Sequence, residues 1–115
     1  MSLKMSNREV NGIVIIDLSG QLTLGESSAA IRDEVRDQTS QGSRKILLNL
    51  ANVTYIDSAG LGELTAAYTS VKNRGGELKL LNLTKRVHDL MQITKLYTVF
   101  DVKDDEASAV KAFSK

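Results

Sequence analysis

Cysteine and proline are both absent from the 115 residues, and neither sign of charge dominates. Without cysteine the chain has no disulfide, no thiolate nucleophile and no cysteine-ligated zinc, which suits a reducing compartment. Without proline, the turns depend on Gly, Asn, Asp and Ser. Fifteen Lys and Arg stand against fourteen Asp and Glu, a formal charge of +1. The two signs alternate along the chain, so the basic patch of a nucleic-acid-binding surface is missing. Apolar runs such as Ile13 to Ile16 and Ile46 to Leu48 fall far short of the roughly 20 residues that cross a bilayer. No charged-then-apolar leader opens the chain. These absences predict a cytoplasmic protein without membrane insertion.

What is present fits one domain over residues 1–115, with 42% hydrophobic and 25% charged residues. A chain of this length buries enough surface to fold without a metal or a covalent staple. Residues 1–4 are expected to stand apart from the fold as flexible or adventitious sequence. Asn11-Gly12 lies between Arg8-Glu9-Val10 and the β-branched run Ile13 to Leu18, the strongest short signal for a tight hairpin. An amphipathic helix through Ala29, Ala30, Ile31 and Val35 is expected to end near Gly42, and a strand follows over Lys45 to Leu50. Leu61, Leu64, Tyr68 and Val71 recur at helical spacing before Gly75-Gly76, which supply a stop. Glu77 to Leu83 reads as a buried strand, and Thr84 as the cap of a third helix through Val87, Leu90 and Met91. Val99 to Val102 reads as a last short strand. Asp104-Asp105-Glu106 opens a C-terminal helix carrying Ala109, Val110 and Phe113, with its acids at the favourable end of the helix dipole. The order predicts an α/β sandwich: a mostly parallel β-sheet with an N-terminal antiparallel hairpin, packed by about four helices.

The segment Tyr55-Ile56-Asp57-Ser58-Ala59-Gly60-Leu61-Gly62 carries the most information, because it sits where a strand runs into a helix at the C-terminal edge of the sheet. That edge is where α/β folds keep their sites. Asp57 is placed to accept hydrogen bonds from the free N–H groups of the helix start, with Ser58 in the first turn. Two glycines early in a helix cost about 1 kcal/mol each relative to alanine. Close approach of another backbone, or of a partner, would offset that cost.

Asp57-Ser58-Ala59-Gly60-Leu61 resembles the signature of STAS domains, the fold of anti-sigma-factor antagonists. The similarity extends over nearly the whole chain: Leu18-Ser19-Gly20-Gln21-Leu22, the run from Ile46 to Asp57, Gly75-Gly76, and the stretch from Val87 through Leu90 and Leu96 to Phe100. The resemblance implies a non-catalytic domain whose partner is an anti-sigma factor with serine kinase activity. It implies that this kinase phosphorylates Ser58 and that a phosphatase resets it. The implied contact surface comprises Leu22, Thr23, Leu24, Asp57, Ser58, Ala59, Gly60, Leu61 and Gly62. Thr23 departs from the pattern, because many family antagonists carry an aspartate shortly after the Gly-x-Leu that ends the second strand. That difference alters the charge a kinase meets beside the serine, and it leaves room for a relative that binds without being phosphorylated.

Other chemistries are weakly represented. His88 is the single histidine. It stands in a helix of core spacing with no adjacent nucleophile or carboxylate arrangement, and so reads as a surface or capping residue and not as part of a triad. Gly60-Leu61-Gly62 lacks both the third glycine of a dinucleotide fingerprint and the Lys-Ser/Thr of a phosphate loop. No cofactor or metal is expected, and nucleotide binding at a helix N-terminus is the weaker reading. Lys85-Arg86 reads as a solvated helix start, and Lys103 to Glu106 as a turn with a helix-start charge cluster. Within the family the alternative role is an unphosphorylated interaction subunit of a stress-signalling or lipid-transport assembly.

Overall fold

A computed structural model describes residues 3–113. Met1 and Ser2, part of the stretch expected to stand apart, lie outside the described residues. Leu3 and Lys4 do not stand apart: they open strand β1 (Leu3–Val10), opposite Gly20 and Ser19 of β2 (Ile13–Leu22). The turn between these antiparallel strands is Asn11-Gly12, with φ of 52° and 81°, the left-handed pair that a two-residue hairpin demands. β1 outruns its sequence signal because Leu-Lys-Met-Ser-Asn-Arg-Glu is half exposed edge strand, where pairing to one neighbour replaces apolar alternation.

Three strand–helix–strand crossovers follow: α1 (Glu26–Ser40), β3 (Lys45–Ile56), α2 (Ser58–Asn73), β4 (Glu77–Leu81), α3 (Lys85–Thr94) and β5 (Val102–Lys103). The sheet order is β1-β2-β3-β4-β5, and every pair after the hairpin is parallel. β2 and β3 both run beyond the segments expected, to Leu22 and Ile56, with register shifts after Asp17 and after Gly20. At each shift β3 carries one extra residue against β2, which lets the paired strand ends twist without parting. The expected last strand shrinks to two residues. Lys95 turns left-handed (φ 63°), a 3-10 turn covers Leu96–Thr98, and Phe100 is buried edge-on against Tyr68, with ring centroids 5.5 Å apart. Filling the core with Phe100 takes precedence over extending an edge strand.

Ile31 and Val35 of α1, Leu61, Leu64 and Val71 of α2, and Val87 and Met91 of α3 join one core with Ile16, Leu48 and Leu80 on a single face of the sheet. Each such side chain, fully withdrawn from water, contributes about 1.5–3 kcal/mol. The other face is covered by α4 (Glu106–Ala112), where Ala109 and Phe113 pack on Ile13, Ile15, Leu47 and Leu81. Asp105 caps α4 by accepting from the Ser108 N–H at 2.9 Å. A three-way ion cluster fastens the helix. Arg8 of β1 donates to Asp17 of β2 (2.8 and 3.1 Å) and to Glu106 of α4 (2.7 and 3.0 Å), and Asn49 donates to Asp17 at 2.8 Å. The guanidinium of Arg8 holds the Asp17 and Glu106 carboxyls below the ordinary carboxylate range.

Candidate functional site

β3 delivers Asp57 in extended conformation (φ −110°, ψ −178°) directly before the first turn of α2, and each of its carboxylate oxygens accepts a main-chain hydrogen bond. The Gly60 N–H donates to Asp57 Oδ1 at 2.8 Å, the expected cap. The Leu24 N–H donates to Asp57 Oδ2 at 3.2 Å, a bond across 33 residues of sequence. The Asp57 N–H in turn donates to the Leu22 carbonyl at 3.3 Å. One aspartate therefore starts a helix and holds the loop that follows the neighbouring strand.

That loop is braced from its other side by Ser27. The Thr23 N–H donates to Ser27 Oγ at 2.9 Å, and the Ser27 hydroxyl donates back to the Thr23 carbonyl, also at 2.9 Å. Ser27 is buried, and sequence reasoning passed over it. Its signal was a small hydroxyl residue four positions after Thr23 in the first turn of α1, the spacing at which a side chain can satisfy main-chain groups left free at a helix start.

The nine residues expected to form the contact surface divide in two. Ser58, Leu24 and Gly62 are exposed, with Thr23, Asp57 and Ala59 half-buried beside them. Leu22, Gly60 and Leu61 are buried. The cause at Gly60 is close packing of two backbones: a Cβ there would lie 2.2 Å from the Leu22 carbonyl oxygen. A Cβ on Gly62 would meet nothing within 4 Å. Thus the first glycine is an internal packing requirement and the second faces solvent.

α3 borders the same end of the sheet. The Thr84 hydroxyl donates to the Val53 carbonyl at 3.0 Å, and the Arg86 guanidinium lies 4.2 Å from the centroid of the Tyr55 ring. Arg86 is therefore more than the solvated residue that the sequence suggested. Lys85 pairs with Asp89 one turn on. His88 is exposed, and its ring lies near Asp89 and Gln92 of its own helix. Among the described residues no group of His, Cys, Asp or Glu is arranged to hold a metal ion, and no helix is long and apolar enough to cross a membrane. The groove between α1 and α2, about 240 Å³ and bridged by Arg32 and Glu63, falls below the ~300 Å³ of ordinary small-molecule pockets.

Comparison with known proteins places this geometry. The STAS domain family matches residues 4–109. An "Anti-sigma F factor antagonist" of Paenibacillus polymyxa is 29% identical over 115 residues, covering 96% of this chain and 94% of the relative. Among solved structures, a candidate anti-sigma-factor antagonist from Thermotoga maritima superimposes with a TM-score of 0.88 at 24% identity, covering 96% of this chain and 95% of that one. The Bacillus cell fate determinant SpoIIAA in its phosphorylated form gives a TM-score of 0.73 at 22% identity, with 94% and 97% covered. These structural likenesses carry the fold. With a family match that spans all five strands, α1 to α3 and the opening of α4, the chain belongs to the STAS domain family.

Proposed function

We propose that this chain is an anti-sigma-factor antagonist that works by partner switching. The unphosphorylated domain binds an anti-sigma factor with serine kinase activity and so frees the sigma factor. The kinase then transfers the γ-phosphoryl group of ATP to Ser58 Oγ, with loss of the hydroxyl proton and release of ADP, and a phosphatase hydrolyses the ester to reset the domain. The observation that carries this reading is an exposed Ser58 on the first residue of α2, beside an aspartate already committed to two main-chain donors. A related protein of the same fold has been solved in a phosphorylated form.

The energetics favour a switch in binding over a change of fold. Phosphoserine adds about −1.5 to −2 charges at neutral pH. At a helix N-terminus that charge is tolerated by the dipole, so the domain has no reason to unfold. At a contact it must be desolvated next to Asp57. Reversing a 99:1 preference requires about 5.5 kcal/mol in total from one side to the other of the exchange. Like charges 4 Å apart repel by about 4 kcal/mol at an effective dielectric of 20, so a few such contacts reach that order.

A binding module, in preference to an enzyme, is supported by the topology. Among the described residues the strands run in sequential order with α1 to α3 on one face, so the sheet has no topological switch point of the kind at which doubly wound sheets hold substrates. The proposed contact surface is the loop Leu22 to Leu24 with Asp57 to Gly62, where Leu22, Gly60 and Leu61 act as its buried support. The threonine at 23 fits this scheme because its main-chain groups are bonded to Ser27, so the loop needs no acidic side chain at position 23 itself to be shaped.

Incubating the domain with its anti-sigma kinase and Mg-ATP, followed by phosphopeptide mapping, tests the assignment. A single phosphate on the Ser58 peptide, lost in Ser58→Ala, is expected. Undiminished incorporation into Ser58→Ala would remove Ser58 from the mechanism.

A further inference from the structure

Leu24 is 78% exposed, yet its backbone is held in place. An exposed leucine is unremarkable by itself. This one differs because its N–H is bonded to the carboxylate that caps α2, while the residue before it is fixed at both main-chain groups by Ser27. A tethered apolar tip has already lost much of the conformational freedom that a free loop would surrender on binding, which is what preorganised contacts require.

Resting on the antagonist reading above, we propose that Leu24 is the apolar anchor of the partner contact, seated in a hydrophobic pocket of the anti-sigma kinase, and that Asp57 couples its presentation to the state of Ser58. The two bonds made by Asp57 are unequal. The cap to Gly60 is short (2.8 Å) and the tether to Leu24 is longer (3.2 Å). A phosphoryl group on the adjacent residue repels the Asp57 carboxylate and competes for N–H groups of the helix start, which have no intrahelical acceptors. The longer bond yields first. Loss of the tether frees Leu24 while Thr23 stays bound to Ser27, so the motion is confined to the tip of the loop. Phosphorylation then acts twice, by adding charge at the contact and by withdrawing the anchor.

Asp57→Asn isolates the tether, because asparagine caps a helix as well as aspartate does but presents an NH2 group to Leu24 in place of the second oxygen. Amide hydrogen exchange would be measured on the wild type, on protein carrying phosphoserine at 58 introduced during translation, on Asp57→Asn, and on Asp57→Asn with phosphoserine. Exchange at Leu24 is expected to rise about tenfold with phosphoserine or with Asp57→Asn, and no further with both. Exchange at Gly60 is expected to stay slow in all four. A Leu24 amide indifferent to phosphoserine overturns the coupling. In titrations with the kinase of the phosphoacceptor test, Leu24→Ser is expected to weaken binding about tenfold or more. Its urea midpoint is expected to match that of the wild type. A kinase that binds Leu24→Ser as tightly as wild type overturns the anchor alone. A kinase that binds neither protein overturns the antagonist reading and the anchor with it, while the exchange experiment, which needs no partner, still decides the coupling.

Discussion

Gly60 and Gly62 lie two positions apart in α2 and meet opposite surroundings, so they should respond to the same substitution with opposite signs. Gly60→Ala drives a methyl group into the Leu22 carbonyl oxygen at 2.2 Å, a backbone atom that cannot swing aside. The expected cost is about 1–3 kcal/mol, as for other overpacked sites. Gly62→Ala enters open space and removes a flexible residue from a helix, which should stabilise the fold by about 0.5–1 kcal/mol. Urea denaturation of the two variants measures both, and equal destabilisation would mean that Gly62 is a packing residue. Asp57→Ala removes the cap as well as the loop tether, and a loss of about 1–2 kcal/mol is expected in the same assay. The sequence showed that glycines cluster at this turn. It could not show which one the neighbouring strand abuts, because Leu22 and Gly60 are 38 positions apart and meet only once β2 and β3 are paired in register.

At the scale of the element, α4 is the sole helix among the described residues on its face of the sheet, held by an apolar patch and by the cluster of Arg8, Asp17 and Glu106. Both carboxyls are held below their ordinary values by the Arg8 hydrogen bonds. A group depressed in the folded state stabilises the fold above its unfolded pKa, and that contribution disappears as pH falls through the folded value. The attachment of α4 should therefore be intact at neutral pH and weaken below about pH 4, where unperturbed carboxylates have begun to protonate. Amide exchange at Ala109 between pH 6 and 3, numbers that bracket the ordinary carboxylate range, follows this directly. Protection that stays constant across that range relative to Ile15 would assign the attachment to Phe113 and Ala109 alone. Arg8→Met should cost about 1 kcal/mol at neutral pH, no more, because the side chains of the cluster are partly exposed and screened. The start of α4 was readable from Asp104-Asp105-Glu106, but the partner of Glu106 lies 98 positions away in β1.

For the molecule as a whole, the sheet separates two surfaces that should behave independently. The loop of Leu24 and the start of α2 lie at the C-terminal ends of β2 and β3, whereas Lys111 belongs to α4 on the opposite face from α1, α2 and α3. Gly62→Trp should therefore abolish kinase binding while the far-ultraviolet circular dichroism stays that of the wild type, and Lys111→Ala should leave binding unchanged. A titration with the reverse ranking would move the contact to the α4 face. Ser58→Asp should likewise keep its secondary structure, since a helix start accepts negative charge. It should bind the kinase less tightly than wild type, though more tightly than the phosphorylated protein, which carries more charge.

Local chemistry made much of this protein legible from its residues: the Asn11-Gly12 turn, the caps at Asp57 and Thr84, the acidic helix start at Asp104-Asp105-Glu106, the helical spacing of Leu61, Leu64 and Val71, and the strand-to-helix position of Ser58. Each depends on groups within a few residues of one another, so composition and spacing suffice to specify it. The lengths of the edge strands escaped, because β1 is defined by pairing and not by apolar pattern, and because β5 gives way to the burial of Phe100. The division of the candidate surface into exposed Ser58, Leu24 and Gly62 and buried Leu22, Gly60 and Leu61 was decided only when parallel pairing brought the ends of β2 and β3 side by side. The second role of Asp57 has the same origin. Its cap is written three residues ahead, at Gly60, but its grip on Leu24 exists only because the tertiary fold sets two distant strand ends within one hydrogen bond of each other.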